Sequence, residues 1–148
     1  MPFYYMDNKQ EFIELLKSTN RAGVDYVIED LEELGFFDAP ASSKFHMNEK
    51  GGLVQHSLNV CRTALRVRET MFELDDSLRE ALPKDSVIIA ALLHDVCKAD
   101  IYKPAIKKQK NRFGMWEDKP GYDVDYNNFP LGHGEKSVIV LLRSGLEM

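Results

Sequence analysis

Two cysteines, one tryptophan, a net charge of −5 and no apolar run of bilayer length mark the poorest features of this sequence, and each scarcity removes a class of protein. Cys61 and Cys97 stand alone in apolar stretches, not in a paired C-x-x-C spacing. This predicts two reduced core thiols in a cytoplasmic protein. The apolar runs at 87–93 and 138–142 are far shorter than the roughly 20 residues of a membrane span. The opening MPFYYMDNKQ has no basic region leading into an apolar stretch, so neither a membrane segment nor a targeting peptide is expected. The acidic balance argues against a domain whose whole surface grips nucleic acid. At 148 residues the expectation is one compact domain over 1–148, with no internal repeat.

What is present is helical periodicity, interrupted once. Phe12, Leu15 and Leu16 recur at helical spacing behind Asp7 and Asn8, which are good N-cap residues. Val24, Val27, Ile28, Leu31 and Leu34 form a second stripe, closed by Gly35 at the position that favours a left-handed cap. The segment 36–52, with Pro40, two serines and the Gly51-Gly52 pair, reads as a loop. A long helix follows, with Leu53, Ser57, Val60, Ala64, Val67 and Met71 on one stripe. Pro83 precedes a fourth helix expected over 84–98, whose run at 87–93 is apolar nearly all round and predicts burial at the centre of a bundle. Between Ile101 and Phe129 the helical period disappears. Asn111-Arg112-Phe113-Gly114 reads as a turn, and Met115, Trp116, Tyr122, Val124 and Tyr126 alternate with polar residues, which predicts a small β-hairpin. A final helix is expected over 135–143. The fold class is therefore mainly α, a helical bundle with a hairpin inserted between the fourth and the C-terminal helix.

The informative chemistry is an imidazole on one helix, His56, and an adjacent imidazole and carboxylate on another, His94 and Asp95. Neighbouring side chains on a helix diverge by roughly 100°, so His94 and Asp95 could bracket an ion while His56 approaches from the facing helix. Two nitrogens and a carboxylate oxygen suit a divalent transition metal, and such an ion polarises phosphoryl oxygens and acidifies water. The plainer readings are core histidines hydrogen-bonded to backbone and an Asp95 paired with Lys98 one turn on.

The surroundings carry more. GGLVQHSLNV at 51–60 and ALLHDVCK at 91–98 together resemble the HD superfamily of metal-dependent phosphohydrolases. The contexts APASSKFH and PLGHGEKS look most like small bacterial and phage HD-domain proteins, distantly similar to the HD part of bacterial exoribonucleases. The likeness runs from about Pro40 onward. It implies an HD-domain-like bundle in which His56, His94 and Asp95 are metal ligands, the ion being Mn, Fe, Ni, Mg or Zn. It also implies a further ligand aspartate on a C-terminal helix. Neither Glu135 nor Glu147 occupies such a position, so the expectation is an HD-like domain over 1–148 lacking that helix. The usual glycine of the doublet context is replaced by Cys97, a small-for-small change expected to alter packing more than chemistry.

Three further residues are candidates. Lys98, four positions after His94, could present its ammonium to a substrate phosphate, or simply sit in solvent at a helix C-terminus. His133, between two glycines at the mouth of a helix, could contact phosphate, act as a general acid or ligate a second metal, or be a plain loop histidine. His46, ten residues before His56, could reach the substrate from the loop. The stretch 103–112 holds Lys103, Lys107, Lys108, Lys110 and Arg112 without one acid; it could steer a polyanion, with Trp116 or Tyr126 available to stack on a base, or serve as a solvated edge whose lysines discourage strand pairing. The resulting expectation is a phosphohydrolase using metal-activated water on a phosphomonoester or phosphodiester of a small nucleotide-like substrate. Competing readings are a non-catalytic nucleotide-binding or interaction module and an exonuclease-like factor acting on nucleic acid.

Overall fold

The computed structural model describes residues 6–43, 47–125 and 133–147, with the backbone alone at residue 133. Helix α1, Asn8–Ser18, starts at a capping box: Asp7 Oδ1 accepts from Gln10 N at 2.8 Å, and the Gln10 side chain returns to Asp7 N at 3.4 Å. Helix α2, Val24–Leu34, ends where Gly35 turns left-handed at φ 82°. That turn delivers Phe36 to the core, where its ring lies 5.0 Å from Phe12 and 5.3 Å from Phe37, the offset and edge-on geometry that ring quadrupoles favour.

Helix α3, Gly52–Leu74, buries Leu53, Val54, Ser57, Leu58 and Cys61 in its first half and Phe72 near its end. The expected apolar stripe drifts outward along the way, leaving Val67 half exposed. Its N-terminus explains the paired glycines. Gly51 takes φ 79°, while a Cβ on Gly52 would lie 2.1 Å from the Met47 carbonyl oxygen. The loop is further tied to the helix by Gly51 N donating to Asp38 O at 3.1 Å and Leu53 N to Ala39 O at 2.9 Å.

Helix α4, Lys84–Leu93, packs along α3 with Ile88, Ile89, Ala91, Leu92 and Leu93 buried. The helix expected to reach residue 98 stops five residues early. His94 is still right-handed, Asp95 leaves the helix at φ −113°, ψ 20°, and a short 3-10 turn, Val96–Lys98, follows. The cause is tertiary. Val96 and Cys97 are buried, and the Cys97 amide donates to Ser137 Oγ of the last helix at 3.3 Å, a demand that overrides local helical preference. Both cysteines are free and buried, and burial pushes both thiols up from their usual pKa.

Helix α5, His133–Arg143, docks on that 3-10 turn. Lys136, 4% exposed, is ion-paired with Asp100. The far end of α5 is fastened to α2 and to the connection before it: Ser144 Oγ donates to Asp30 at 2.5 Å, and Glu147 N to Ala22 O at 2.9 Å.

Strands β1, Tyr102–Lys110, and β2, Trp116–Val124, form the predicted antiparallel hairpin with Tyr102 opposite Val124 and Lys110 opposite Trp116. Asn111 Oδ1 closes its turn by accepting from Phe113 N and Met115 N at 2.9 and 3.1 Å. Ala105, Lys107 and Gly121 share one face and are half-buried; beside them a cavity of about 640 Å³ is lined also by Ser43, Asn48, Glu49 and Lys50 of the loop. On the other face Ile106, Trp116, Pro120 and Val124 are exposed. Tyr126, assigned to the same alternation, lies outside the described residues. Among the described residues no helix is long and apolar enough to cross a membrane.

Replacing glycine by alanine inside a helix ordinarily stabilises by roughly 0.5–1 kcal/mol. Gly52→Ala should instead destabilise by about 1–3 kcal/mol, the usual range for overpacking, because the new methyl meets the Met47 carbonyl. A thermal melt reads the sign, and a raised Tm would show that the contact is slack.

Candidate metal centre

His56 is the fifth residue of α3, one turn beyond the point where the glycine pair pins the helix to the loop. His94 caps α4, which packs alongside. The departure of Asp95 from the helix abolishes the divergence of roughly 100° that a continuous helix would impose on neighbouring side chains, and its carboxylate turns back toward the His94 ring. Three donor atoms converge: His56 Nε2 lies 3.3 Å from His94 Nε2 and 3.3 Å from Asp95 Oδ2, and His94 Nε2 lies 3.2 Å from Asp95 Oδ2.

This near-equilateral triangle can be tested against metal coordination. Donors at about 2.0–2.1 Å from a tetrahedral ion stand roughly 3.3–3.4 Å apart, and adjacent donors of an octahedral ion about 2.9 Å apart. The observed edges fit the first and lie within a few tenths of an ångström of the second. Among the described residues these three side chains form the group able to share one ion. His56 and Asp95 are partly buried, Asp95 the more so, and His94 is exposed, so the cluster is reachable from solvent.

Hydrogen bonding prepares the donors. His94 Nδ1 lies 2.7 Å from Ala91 O; a carbonyl only accepts, so Nδ1 carries the proton and the neutral ring presents its Nε2 lone pair to the cluster. The hydrogen bond to Asp95 raises the His94 pKa against the effect of burial, with the Ala91 carbonyl adding to the rise. Burial pushes the Asp95 carboxyl up, but His94 and Lys98 together outweigh it and hold the group at about 2. The cluster therefore keeps its carboxylate charged and favours a positive centre beside it.

Lys98 reaches the same region by a different route from the one expected of a continuous helix. Its 3-10 turn sets Nζ 3.4 Å from Asp95 Oδ2 and lets it donate to Ala41 O at 3.2 Å. The pairing with Asp95 and the position beside the candidate ligands thus coexist. Tyr102, at the base of the hairpin, donates its hydroxyl to the same Ala41 oxygen at 3.2 Å. His46 and the side chain of His133 lie outside the described residues; the backbone of His133 begins α5, two residues ahead of the start expected from the sequence.

Several supporting groups escaped sequence reasoning. Ala41 acts through its carbonyl, which no side-chain pattern announces. Lys136 and Ser137 belong to the GHGEKS motif, yet their work is to dock α5 on the turn that carries Asp95 and Lys98, through Asp100 and the Cys97 amide. The full burial of Cys97 accounts for a small residue there.

With the geometry in hand, comparison with known proteins adds a chemical direction. Over 107 residues the chain is 32% identical to dihydroneopterin 2′,3′-cyclic phosphate phosphodiesterase of Methanocaldococcus jannaschii. The chain is similar to a phosphodiesterase. The match takes in 72% of this chain but 38% of the relative, so the chain spans well under half of that protein. No family model matches the chain, and no solved structure matches it.

Lys136 is nearly buried and its pairing with Asp100 ties α5 to the turn. Asp100→Ala is expected to destabilise by roughly 1.5–3 kcal/mol, the worth of a hydrogen bond to a charged group, measured by denaturant melts; an unchanged midpoint would show that the pair adds nothing to the docking.

Proposed function

We propose that this chain is a metal-dependent phosphohydrolase of the HD type, acting on a phosphomonoester or phosphodiester bond of a small nucleotide-like substrate. The observation that carries the reading is the triangle of His56 Nε2, His94 Nε2 and Asp95 Oδ2 with edges of 3.2–3.3 Å. The order of the motifs GGLVQHS, LLHDVCK and GHGEKS supports the HD assignment. The relative's name supports a 2′,3′-cyclic phosphodiester as the first substrate class to try.

In this reading His56, His94 and Asp95 hold a divalent ion, which supplies Lewis acidity toward a phosphoryl oxygen and water. The residues of the chain do the rest. Ala91 fixes the His94 tautomer, and the sheltered Asp95 stays ionised to pH values far below neutrality. Lys98 has three ammonium donors; among the described residues one goes to Ala41 and one faces Asp95, which leaves a third for a substrate phosphate oxygen. His133 at the start of α5 is the proposed general acid or phosphate contact, and His46 a substrate contact from the loop.

Elemental analysis of protein purified without chelator tests the centre. About one transition-metal ion or more per chain is expected in wild type, lost in His56→Ala and in His94→Ala. Hydrolysis of 2′,3′-cyclic nucleotides and simple phosphomonoesters should require that metal and vanish in Asp95→Ala. Lys98→Met should keep the metal and lose at least about tenfold in kcat/KM, the worth of one charge-assisted hydrogen bond. A wild-type chain that neither carries nor takes up Mn²⁺, Fe²⁺, Ni²⁺, Zn²⁺ or Mg²⁺ would sink the proposal.

A further inference from the structure

The hairpin is amphipathic in the wrong sense. Its half-buried face, with Ala105, Lys107 and Gly121, lines a cavity with Ser43, Asn48, Glu49 and Lys50, while Ile106, Pro120, Val124 and Trp116 face solvent together with the partly covered Tyr122. Ile106 and Trp116 are 68% and 67% exposed, and the turn adds Phe113 at 73% and Met115 at 66%. A two-stranded hairpin is marginal in water unless something covers its apolar face, and an apolar patch of this kind marks an interaction surface. Strand addition at the edges is disfavoured, since β1 carries Pro104 and several lysines and β2 carries Pro120. The face itself is what remains to be covered.

Charge indicates the occupant. Residues 102–124 hold six basic and three acidic side chains, a net +3, so the rest of this −5 chain carries −8. Lys107 and Lys108 are paired with Asp123 and Asp118. Lys110 and Arg112 lie over the rings of Trp116 and Phe113 and have no ion pair among the described residues. Their complement is on α2, which contains five acids and no base. Asp30 accepts from Ser144, and Glu32 pairs with Lys9. Asp25, Glu29 and Glu33 recur every four residues along one exposed stripe beside Tyr26, 66% exposed, and have no ion pair among the described residues.

We propose that the hairpin docks on a second copy of this chain, its Trp116–Phe113 tip and the cations Lys110 and Arg112 meeting the Asp25–Glu29–Glu33 stripe and Tyr26 of the partner's α2. A two-fold dimer makes this contact twice, each hairpin on the other copy's helix. Aromatic residues, methionine and arginine at the centre, ringed by complementary charge, are the composition such interfaces favour. A polyanion such as single-stranded nucleic acid is the less suited occupant, because the −8 body beside the hairpin repels it.

Sedimentation velocity of the full chain over about 2–200 µM, at low and high salt, tests this. A reversible monomer–dimer equilibrium weakened by salt is expected. The sole tryptophan, Trp116, should shift its emission to the blue as dimer forms. Lys110→Glu with Arg112→Glu, and separately Glu29→Lys with Glu33→Lys, should each weaken association at least about tenfold, and combining all four should recover most of the loss. These side chains are exposed, and circular dichroism confirms that each variant is folded. A chain monomeric at every concentration overturns the proposal. So does a dimer indifferent to these changes, growth beyond the dimer, or a monomer whose Trp116 emission is quenched by a single-stranded oligonucleotide, the outcome that would assign the face to nucleic acid.

Discussion

The break in the helical backbone after Leu93 is the constraint on which the candidate centre depends. While residues stay in an α-helix, adjacent side chains cannot share one ligand position in space. Moving Asp95 to φ −113°, ψ 20° brings its carboxylate within 3.2 Å of the preceding ring. Contacts from the last helix and the core hold the turn that follows. Here the holding groups are Ser137 on the Cys97 amide, Lys136 on Asp100, and the buried Val96 and Cys97 side chains. The last helix is therefore part of the machinery that aims a carboxylate, although among its described side chains none lies in the triangle.

Much of this fold was legible in the residues. Asp7 before an apolar stripe marked the start of the first helix and Gly35 after another marked the end of the second, because caps are local chemistry. The loss of helical period after Ile101, with an Asn-x-x-Gly turn, located the hairpin for the same reason. The end of α4 was not legible, since the stretch through Lys98 reads as helix and only contacts with α5, some 40 residues on, interrupt it. The spacing of His56, His94 and Asp95 and the motifs around them indicated which side chains meet. They did not indicate how: the sequence suggested two residues straddling an ion from one helix face, whereas the backbone turns to bring them together. The direction of the hairpin's apolar face was likewise hidden, because alternation defines two faces without saying which one the rest of the chain covers.

The electrostatic character of the centre follows from crowding. Two imidazoles, a carboxylate and an ammonium occupy a partly buried space, and the arrangement keeps the carboxylate ionised while presenting two ring nitrogens to the same point. Donor atoms this close are held together by a cation or by protons. That is the condition in which a metal and protons compete for one set of atoms, and it links occupancy of the centre to pH.

A single oxygen joins this centre to the hairpin. Ala41 O receives the Lys98 ammonium and the Tyr102 hydroxyl, one for each of its lone pairs. Tyr102 stands at the root of a lever that reaches nine residues out along β1 before its turn. The root of the hairpin and the ammonium beside the triangle are thus registered to each other through one backbone carbonyl.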